Sequence, residues 1–488
     1  MIVENKSSPR PAVQPAAHDT EAPANLLAFM LKHWQPMEPK FIEPVERVDC
    51  FARRREAVSR LFPGELLIIP NRHLQVRAND EFYLFRSSSN FYYLTGCQEP
   101  DCVLLMVPDG AGHRPTLFVE PNVGKTDARF FTDRVKGEIW EGASLGVDGS
   151  SARYQIPDSR GLDRLQESLQ EYLTAHAKFR VLRGDSPRME GWLPTDHAEQ
   201  RQRDAQLATA LAELRLIKDE HELCELQRVI AATQRGFEDV IRRLKRAKNE
   251  RELEGVFYTR ARMEGNGLGY NTVVASGAHA CTLHWRRNNG PIHTDELLLM
   301  DAGVEGWALY TADITRVLPT SGSFSDAQRE IYSLVFAAQR TAMEEVKPGN
   351  DFMDPNRAAM KVLAHGLEKL GILPMPAAEA LHKDNQYFRR YSLHNVSHML
   401  GLDVHDCAQA RAESYKYGKL RPGMVLTIEP GLYFQIDDET VPAKYRGIGV
   451  RIEDNVVVTE SGYRNLSAEI PAAPDDVERW IRRIWAES

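Results

Sequence analysis

The fold of this chain is decided by two short stretches, ELLLMDAG at residues 296–303 and YTADITR at residues 310–316. In the first, an apolar run typical of a buried strand leads directly into Asp301. In the second, Asp313 stands at the start of another apolar run, and eleven residues separate the two aspartates. An acid next to a buried strand needs a partner for its charge, because an ionised carboxylate in an apolar interior is costly.

Two further acids follow the same pattern later in the chain. Glu429 ends the run MVLTIE at residues 424–429, and Glu453 lies inside VRIEDNVVV at residues 450–458. Any one such acid is ordinarily a strand-end turn or a surface residue. Four in succession are not, since buried carboxylates are tolerated only when they are paired or bound to metal.

The basic residues close to these acids are too few to neutralise them. Arg316 and Arg451 are the only cations within the strand segments. Two divalent ions would balance four carboxylates, and one imidazole would complete a set of five protein ligands. Carboxylate oxygens with one histidine suit Mn²⁺, Co²⁺ or Zn²⁺ better than a thiolate-loving metal. We therefore predict two divalent metal ions, with Mn²⁺ as the first choice.

A histidine-rich segment is the obvious source of the imidazole. HNVSHMLGLDVHD, residues 394–406, contains His394, His398 and His405 among apolar neighbours. Each of the three is a metal ligand, a catalytic group or a structural histidine bonded within the core. Spacing alone leaves these alternatives open.

Strand-like runs around the acids interleave with long amphipathic helices. One helix is predicted from Asp219, where the spacing to Glu222 indicates a capping box. Ser325 is predicted to cap a second helix, and a third is predicted to start at Asp354. The pattern predicts an α+β domain with helices packed on a largely antiparallel sheet.

The upstream part of the chain is organised differently. Runs such as CVLLMVP and TLFVEP alternate with helical stretches, which predicts an α/β domain. Residues 1–44 begin with a Pro-, Ala- and Ser-rich stretch and are predicted to form a flexible tail. The polar segment 188–206 is predicted to be a linker, and the final DDVERWIRRIWAES a short surface helix.

Composition excludes several classes of protein. A chain of 488 residues with 42% hydrophobic and 27% charged residues is expected to form at least two globular domains. The formal charge is −8 and there are no long runs of Lys or Arg, so the sequence does not indicate a surface that binds nucleic acid or anionic lipid. Because no apolar stretch is long enough to span a membrane and the six cysteines are scattered, we expect a cytoplasmic protein.

The acids and histidines, taken in order with their flanking residues, resemble the pita-bread metallopeptidases. Within that family they are similar to the branch of Xaa-Pro aminopeptidases (aminopeptidase P) and prolidases. The resemblance rests on MDAG, TADITR, SHMLGLDVHD, LTIEPGLY and GVRIEDN over about residues 214–468, with FRSSSNFYYLTGCQEPDCVLLMV at 85–107 similar to that branch's N-terminal domain. It implies an α/β N-terminal domain over 45–205, an α+β pita-bread catalytic domain over 206–470 and a C-terminal helix over 471–488.

The resemblance also implies a role for each acid. Asp301 would bind one metal ion, His398 and Glu429 the other, and Asp313 and Glu453 both. A water or hydroxide held between the ions would be the nucleophile, and Glu429 the general base. The implied reaction releases the N-terminal residue from peptides that have proline in the second position.

Three histidines are implied to surround the substrate. His405 and His284, the latter in CTLHWRRNNG, resemble the family histidines that stabilise the developing oxyanion. His394 would line the pocket for the proline side of the cleaved bond. A structural histidine is the alternative for each.

Two other residues are weaker candidates for substrate binding. Arg451 is expected to share a strand face with Glu453 and to hold that carboxylate, with a plain surface arginine as the alternative. Tyr270, in GYNTVVASG, either lines the site or is a core aromatic.

Several questions stay open at this point. Asn395 stands where relatives often have glycine, and one extra residue lies between the two aspartates, so the fine specificity is not defined. A prolidase restricted to Xaa-Pro dipeptides is one alternative, and a non-catalytic pita-bread protein that binds peptides is another. A homo-oligomer is expected, because the first domain of one copy could cover the site of a neighbour.

Overall fold

A computed structural model of the chain describes residues 21–35, 41–176, 178–194 and 197–487. The described residues fall into two compact units that divide between Leu211 and Ala212. This division lies inside a helix, Ala198–Arg215, which also contains the predicted domain boundary at 205/206. The segment expected to be a linker therefore ends in a helix, because the Ala, Gln, Glu and Arg residues of 198–206 have high helix propensity.

The predicted flexible tail, residues 1–44, lies mostly outside the described residues. Its described part contains one helix, α1 at Ala24–Met30, in which no residue is buried. The sequence ANLLAFM is rich in helix-favouring Ala, Leu and Met, which accounts for an element that the tail prediction did not include.

The first unit is built on a mixed sheet. Its strands are β1 Leu66–Pro70, β2 Val76–Ala78, β3 Glu81–Phe82, β4 Val103–Asp109, β5 Gly112–Val119, β6 Asp158–Gly161 and β7 Phe179–Val181. The main sheet has the order β6-β5-β4-β1-β7, with antiparallel central pairs and parallel pairs at both edges. Its helices are α2 Val48–Leu61, α3 Ser89–Thr95, α4 Arg129–Thr132, α5 Glu138–Glu141, α6 Gly146–Tyr154, α7 Leu165–Ala175, α8 Pro187–Glu190 and the start of α9 Ala198–Arg215.

The second unit combines long helices with short antiparallel strands, as predicted. Its strands are β8 Gly267–Leu268, β9 Val273–Ser276, β10 Leu297–Ala302, β11 Val304–Glu305, β12 Ile314–Pro319, β13 Val425–Ile428, β14 Gly431–Tyr433, β15 Gly449–Arg451, β16 Asp454–Val458 and β17 Tyr463–Asn465. They pair as β12-β10-β9, β13-β16-β17, β11-β8 and β14-β15. Its helices are α10 Glu220–Leu244, α11 Glu250–Glu264, α12 Asp326–Glu344, α13 Asp354–Lys369, α14 Ala377–Ala380 and α15 Pro474–Ala486.

The ends of the long helices follow the local sequence signals. Asp219 accepts a hydrogen bond from the Glu222 backbone in a full capping box, which confirms the predicted start of α10. Ser325 caps α12 in the same way. The helix α13 starts at Asp354, as predicted, with Met353 at the cap position and Pro355 in its first turn.

One large apolar core underlies this unit. The buried face of α10, including Ile230, Phe237 and Ile241, belongs to the same cluster as the strand residues Leu299 and Ile314. The C-terminal helix α15 also packs into it through buried residues such as Trp480. Among the described residues, no helix is long and apolar enough to cross a membrane.

Candidate metal centre

Two antiparallel strands carry the first pair of acids. Asp301 is near the end of β10, and its register partner on β12 is Thr315. Asp313 immediately precedes β12, and its backbone N–H and C=O are both bound by the Asn455 side chain, at 3.1 and 2.6 Å. Asp301 and Asp313 therefore lie at the same end of the antiparallel pair β10 and β12.

A second antiparallel pair carries the two glutamates. Ile428 on β13 pairs with Asp454 on β16, so Glu429 and Glu453 lie at the next position outward, at the same end of the ladder. The Thr315 hydroxyl donates a hydrogen bond to Glu453 Oε2 at 2.6 Å. The Glu453 backbone N–H donates to Thr315 O at 3.1 Å, and these two bonds bring the two hairpins together.

His398 completes the cluster. Its Nε2 lies 3.2 Å from Asp313 Oδ2 and 3.5 Å from Glu429 Oε1. The ligand atoms of Asp313, His398 and Glu453 all lie within 4.8 Å of one another. The histidine backbone is held against β13, where the Thr427 N–H donates to His398 O at 3.0 Å.

All five predicted ligands line one cavity of about 650 Å³. Burial and the neighbouring carboxylates raise the pKa of Glu453 well above its ordinary range. Burial likewise raises the pKa of Asp301, and that of Glu429 to about 7. Burial therefore disfavours the ionised forms of these three carboxylates unless positive charge is added.

The available cations supply only part of that charge. Arg451 donates to Asp301 Oδ2 at 2.6 Å, whereas Arg316 is bound to Asp454 at 2.6 Å, outside the set of five. Although burial lowers the pKa of His398, the hydrogen bond to Asp313 and the charge of Glu429 raise it to about 9. The cluster therefore contains more negative than positive charge. Its four carboxylates and one imidazole are a set of ligands that suits divalent cations.

Arg451 makes no hydrogen bond with the acid that was predicted for it. It was expected to hold Glu453, but its guanidinium binds Asp301 and, through Nη1 at 3.0 Å, the Tyr433 hydroxyl. The strands β15 and β16 are separated at Ile452 and Glu453, so the two-residue alternation that put Arg451 and Glu453 on one face does not continue.

A hydrogen-bonded chain links Arg451 to His394. The Tyr433 hydroxyl accepts from Arg451, so its own proton points to His394 Nε2 at 2.8 Å. The proton of the His394 ring therefore sits on Nδ1, which lies 3.6 Å from Glu429 Oε2. Burial and the charge of Arg451 lower the pKa of His394 to about 4, so the ring is neutral near pH 7.

The other predicted residues lie on the wall of the same cavity. His405 packs edge-on against His398, with ring centroids 4.4 Å apart, and burial lowers the pKa of its imidazole. His284 lines the cavity from the loop that follows β9. The Tyr270 hydroxyl donates to Asp301 Oδ1 at 2.6 Å, which places this tyrosine at the site.

Sequence reasoning missed three polar residues that organise the centre. Thr315 and Asn455 each stand two residues after a predicted ligand, on the same strand face, so strand alternation was a usable signal for both. Tyr433 follows Glu429 by four residues across the break between β13 and β14, and no local pattern pointed to it.

Comparisons with known proteins identify the family of this chain. Residues 225–460 match the model of metallopeptidase family M24, and residues 51–182 match the N-terminal domain of aminopeptidase P. The chain is 44% identical to Xaa-Pro aminopeptidase 1 of Streptomyces coelicolor, over 99% of this chain and 100% of that protein. It is 45% identical to Xaa-Pro aminopeptidase 2 of the same species, over 94% of this chain and 97% of that protein. A solved structure of aminopeptidase P from Escherichia coli with the inhibitor Pro-Leu has a TM-score of 0.80 at 30% identity, covering 91% of this chain and 99% of that one.

Proposed function

The chain belongs to the Xaa-Pro aminopeptidases of metallopeptidase family M24, and we propose that it releases the N-terminal residue from peptides with proline in the second position. The observation that carries the proposal is the buried cluster of Asp313, His398 and Glu453, with ligand atoms within 4.8 Å of one another. A binding protein that had lost the activity would not need to keep such a costly set of buried acids.

Two divalent ions are the proposed cofactor, with Mn²⁺ preferred over Co²⁺ and Zn²⁺. Asp301 would hold one ion, His398 and Glu429 the other, and Asp313 and Glu453 both. When bound, the ions supply Lewis acidity that activates water and polarises the scissile carbonyl. Oxygen-rich donors with one imidazole support this choice of metals.

The remaining steps belong to side chains of the protein. Glu429 takes the proton of the attacking water, since its carboxylate faces the cavity beside His398. His405 and His284 donate hydrogen bonds to the oxyanion that develops on the scissile carbonyl. His394, held by Tyr433, lines the proline side of the substrate.

The cleaved bond explains the apolar part of the cavity. A bond to proline is a tertiary amide without an N–H, so the enzyme cannot hold it by a hydrogen bond to that nitrogen. Shape and apolar contact must replace that bond. Leu283, Val404 and Ala408 line the cavity beside the histidines and offer such a surface.

The direct test compares two substrates. A tripeptide Xaa-Pro-Yaa and a dipeptide Xaa-Pro are offered to the purified protein with Mn²⁺, and again after chelation. We expect metal-dependent release of the N-terminal residue from the tripeptide. Cleavage of the dipeptide alone would instead identify a prolidase. No cleavage of either, together with no bound metal, would identify a peptide-binding protein.

We also propose a cytoplasmic location and assembly into a homo-oligomer, with peptides as the only partners and neither nucleic acid nor membrane bound. Cell fractionation tests the first point, and sedimentation velocity of the purified chain tests the second. Recovery in a membrane fraction, or a monomer at all concentrations, would overturn the corresponding statement.

A further inference from the structure

Glu250, outside the metal centre, is a fully buried acid with an unusual number of donors. It is the first residue of α11 and is 0% exposed. Its Oε1 accepts from the Ser276 N–H and from His279 Nδ1, each at 2.8 Å. Its Oε2 accepts from Trp285 Nε1 at 2.8 Å and from the Gly290 N–H at 2.7 Å.

All four donors belong to one segment, residues 276–290, which we call the histidine-284 loop. The loop contributes Leu283, His284 and Arg286 to the wall of the metal-centre cavity. Trp285, which donates to Glu250, directly follows His284 in the chain. One carboxylate therefore ties both ends and the middle of the loop that presents His284.

The loop is packed so tightly on this carboxylate that it has little freedom to shift. The rings of His279 and Trp285 are stacked, with centroids 3.9 Å apart. A Cβ added at Gly290 would lie 2.4 Å from His279 Cε1 and 2.9 Å from Glu250 Oε1, so only glycine fits there. The position of Glu250 in the first turn of α11 also favours a negative charge.

We propose that Glu250 is a positioning residue for His284. It does not touch substrate; it sets the distance between the His284 imidazole and the scissile carbonyl by anchoring the loop on both sides. This inference rests on the proposed peptidase function, since it concerns the histidine that stabilises the oxyanion. Catalytic groups misplaced by about 1 Å lose on the order of 100-fold in rate.

Glu250→Gln is the informative change. The amide keeps the size of the side chain but replaces an acceptor with an NH₂ group, so two of the four N–H donors would face another donor. Glu252→Gln is the matched control, because Glu252 lies in the same first turn of α11 but bonds to Asn249, Lys248 and Arg243, outside the loop.

The experiment measures kcat and KM of the full-length Mn²⁺ protein on an Xaa-Pro-Yaa peptide. Glu250→Gln is expected to lower kcat on the order of 100-fold with a smaller change in KM, and Glu252→Gln to stay within about twofold. In a His284→Ala background, Glu250→Gln should change kcat by no more than about twofold, because the group that it positions is gone. An equal loss in both backgrounds would overturn the proposal.

A second measurement does not depend on activity. Hydrogen exchange of the histidine-284 loop should become faster in Glu250→Gln but not in Glu252→Gln, and unchanged exchange would overturn the proposal. If Glu250→Gln does not fold, Trp285→Phe removes one donor while keeping the aromatic ring, and the same test with His284→Ala applies. An inactive wild-type protein would instead refute the proposed function, and the exchange data would still show whether Glu250 holds the loop.

Discussion

Lys218 Nζ lies 3.1 Å from Asp406 Oδ2, and the two side chains are 0% and 1% exposed. Arg215 reaches the other oxygen of the same carboxylate at 3.0 Å. Asp406 directly follows His405. Its backbone N–H donates to Met399 O at 2.9 Å, so this hydrogen bond joins the two ends of the segment from His398 to His405. The residue next to His405 in the chain therefore belongs to a buried ion cluster.

Replacing Asp406 with Asn should destabilise the protein strongly. It would leave two buried cations without their carboxylate, and breaking a buried pair in this way costs about 3–5 kcal/mol. The free energy of unfolding, measured in urea, tests this. Glu213→Gln is the control, because it breaks a partly exposed pair with Arg411 and should cost under about 1 kcal/mol. Equal losses in the two variants would contradict the special weight given to the buried cluster.

Removing the metal should lower stability as well as activity. Without cations the buried carboxylates repel one another, so a chelator is expected to abolish turnover and to lower Tm by on the order of 5–10 °C. Addition of Mn²⁺ should restore both. The chelator should move Tm much less in His398→Ala, which has lost one ligand. A chelator-insensitive Tm in the wild type would argue against a metal-filled cavity.

Substitution of the ligands should separate metal binding from proton transfer. Asp313→Ala and His398→Ala are each expected to abolish turnover while the far-ultraviolet circular dichroism stays that of a folded protein. Glu429→Gln should be nearly inactive yet keep much of its metal, because the amide oxygen still coordinates while the proton acceptor is lost. Metal content by mass spectrometry and peptide cleavage check these outcomes. Activity retained in either alanine variant would exclude the dinuclear mechanism.

Tyr433→Phe tests the link between Arg451 and His394. Loss of the hydroxyl leaves one hydrogen-bonding nitrogen on each of these side chains unpaired in a buried site, at a cost of about 1–3 kcal/mol. We expect kcat/KM to fall by roughly tenfold or more. Tyr391→Phe is the matched control, since the Tyr391 hydroxyl bonds to Thr440 rather than to a cavity residue. A similar loss in both variants would point to a general effect of removing a buried hydroxyl.

The ion pair between Glu213 and Arg411 should make stability depend on acid pH. The hydrogen bond from Arg411 lowers the pKa of Glu213 from 4.5 to about 2. Because the folded pKa is below the unfolded one, the unfolded state binds more protons in that interval, so the contribution is present above pH 4.5 and is lost as pH falls toward 2. The difference in unfolding free energy between the wild type and Glu213→Gln should therefore shrink over that interval. A constant difference from pH 5 to pH 3 would contradict the pairing.

Strand periodicity predicted part of this arrangement well. Asp301, Asp313, Glu429 and Glu453 were identified because each interrupts or ends an apolar run, and the structure brings all of them to one cavity. The four acids meet there because of the strand register, for example Asp301 opposite Thr315. A single sequence does not determine that register.

What could not be predicted depends on partners that are distant in the chain. Arg451 contacts Asp301, 150 residues away, because a break in the strand turns it from Glu453. Glu250 gave no signal, since a single acid at a helix start is ordinary. Its four donors converge only when the loop after β9 folds back on α11.

The Thr315 hydroxyl has a single hydrogen, and that hydrogen is committed to Glu453. The same oxygen accepts a hydrogen bond from Arg451 Nε at 3.1 Å. The guanidinium therefore donates to the threonine, and the threonine donates to the carboxylate. Arg451 therefore polarises an acid to which it donates no hydrogen bond of its own. Thr315→Val, which keeps the shape of the side chain, would remove both hydrogen bonds, whereas Thr315→Ser would keep them.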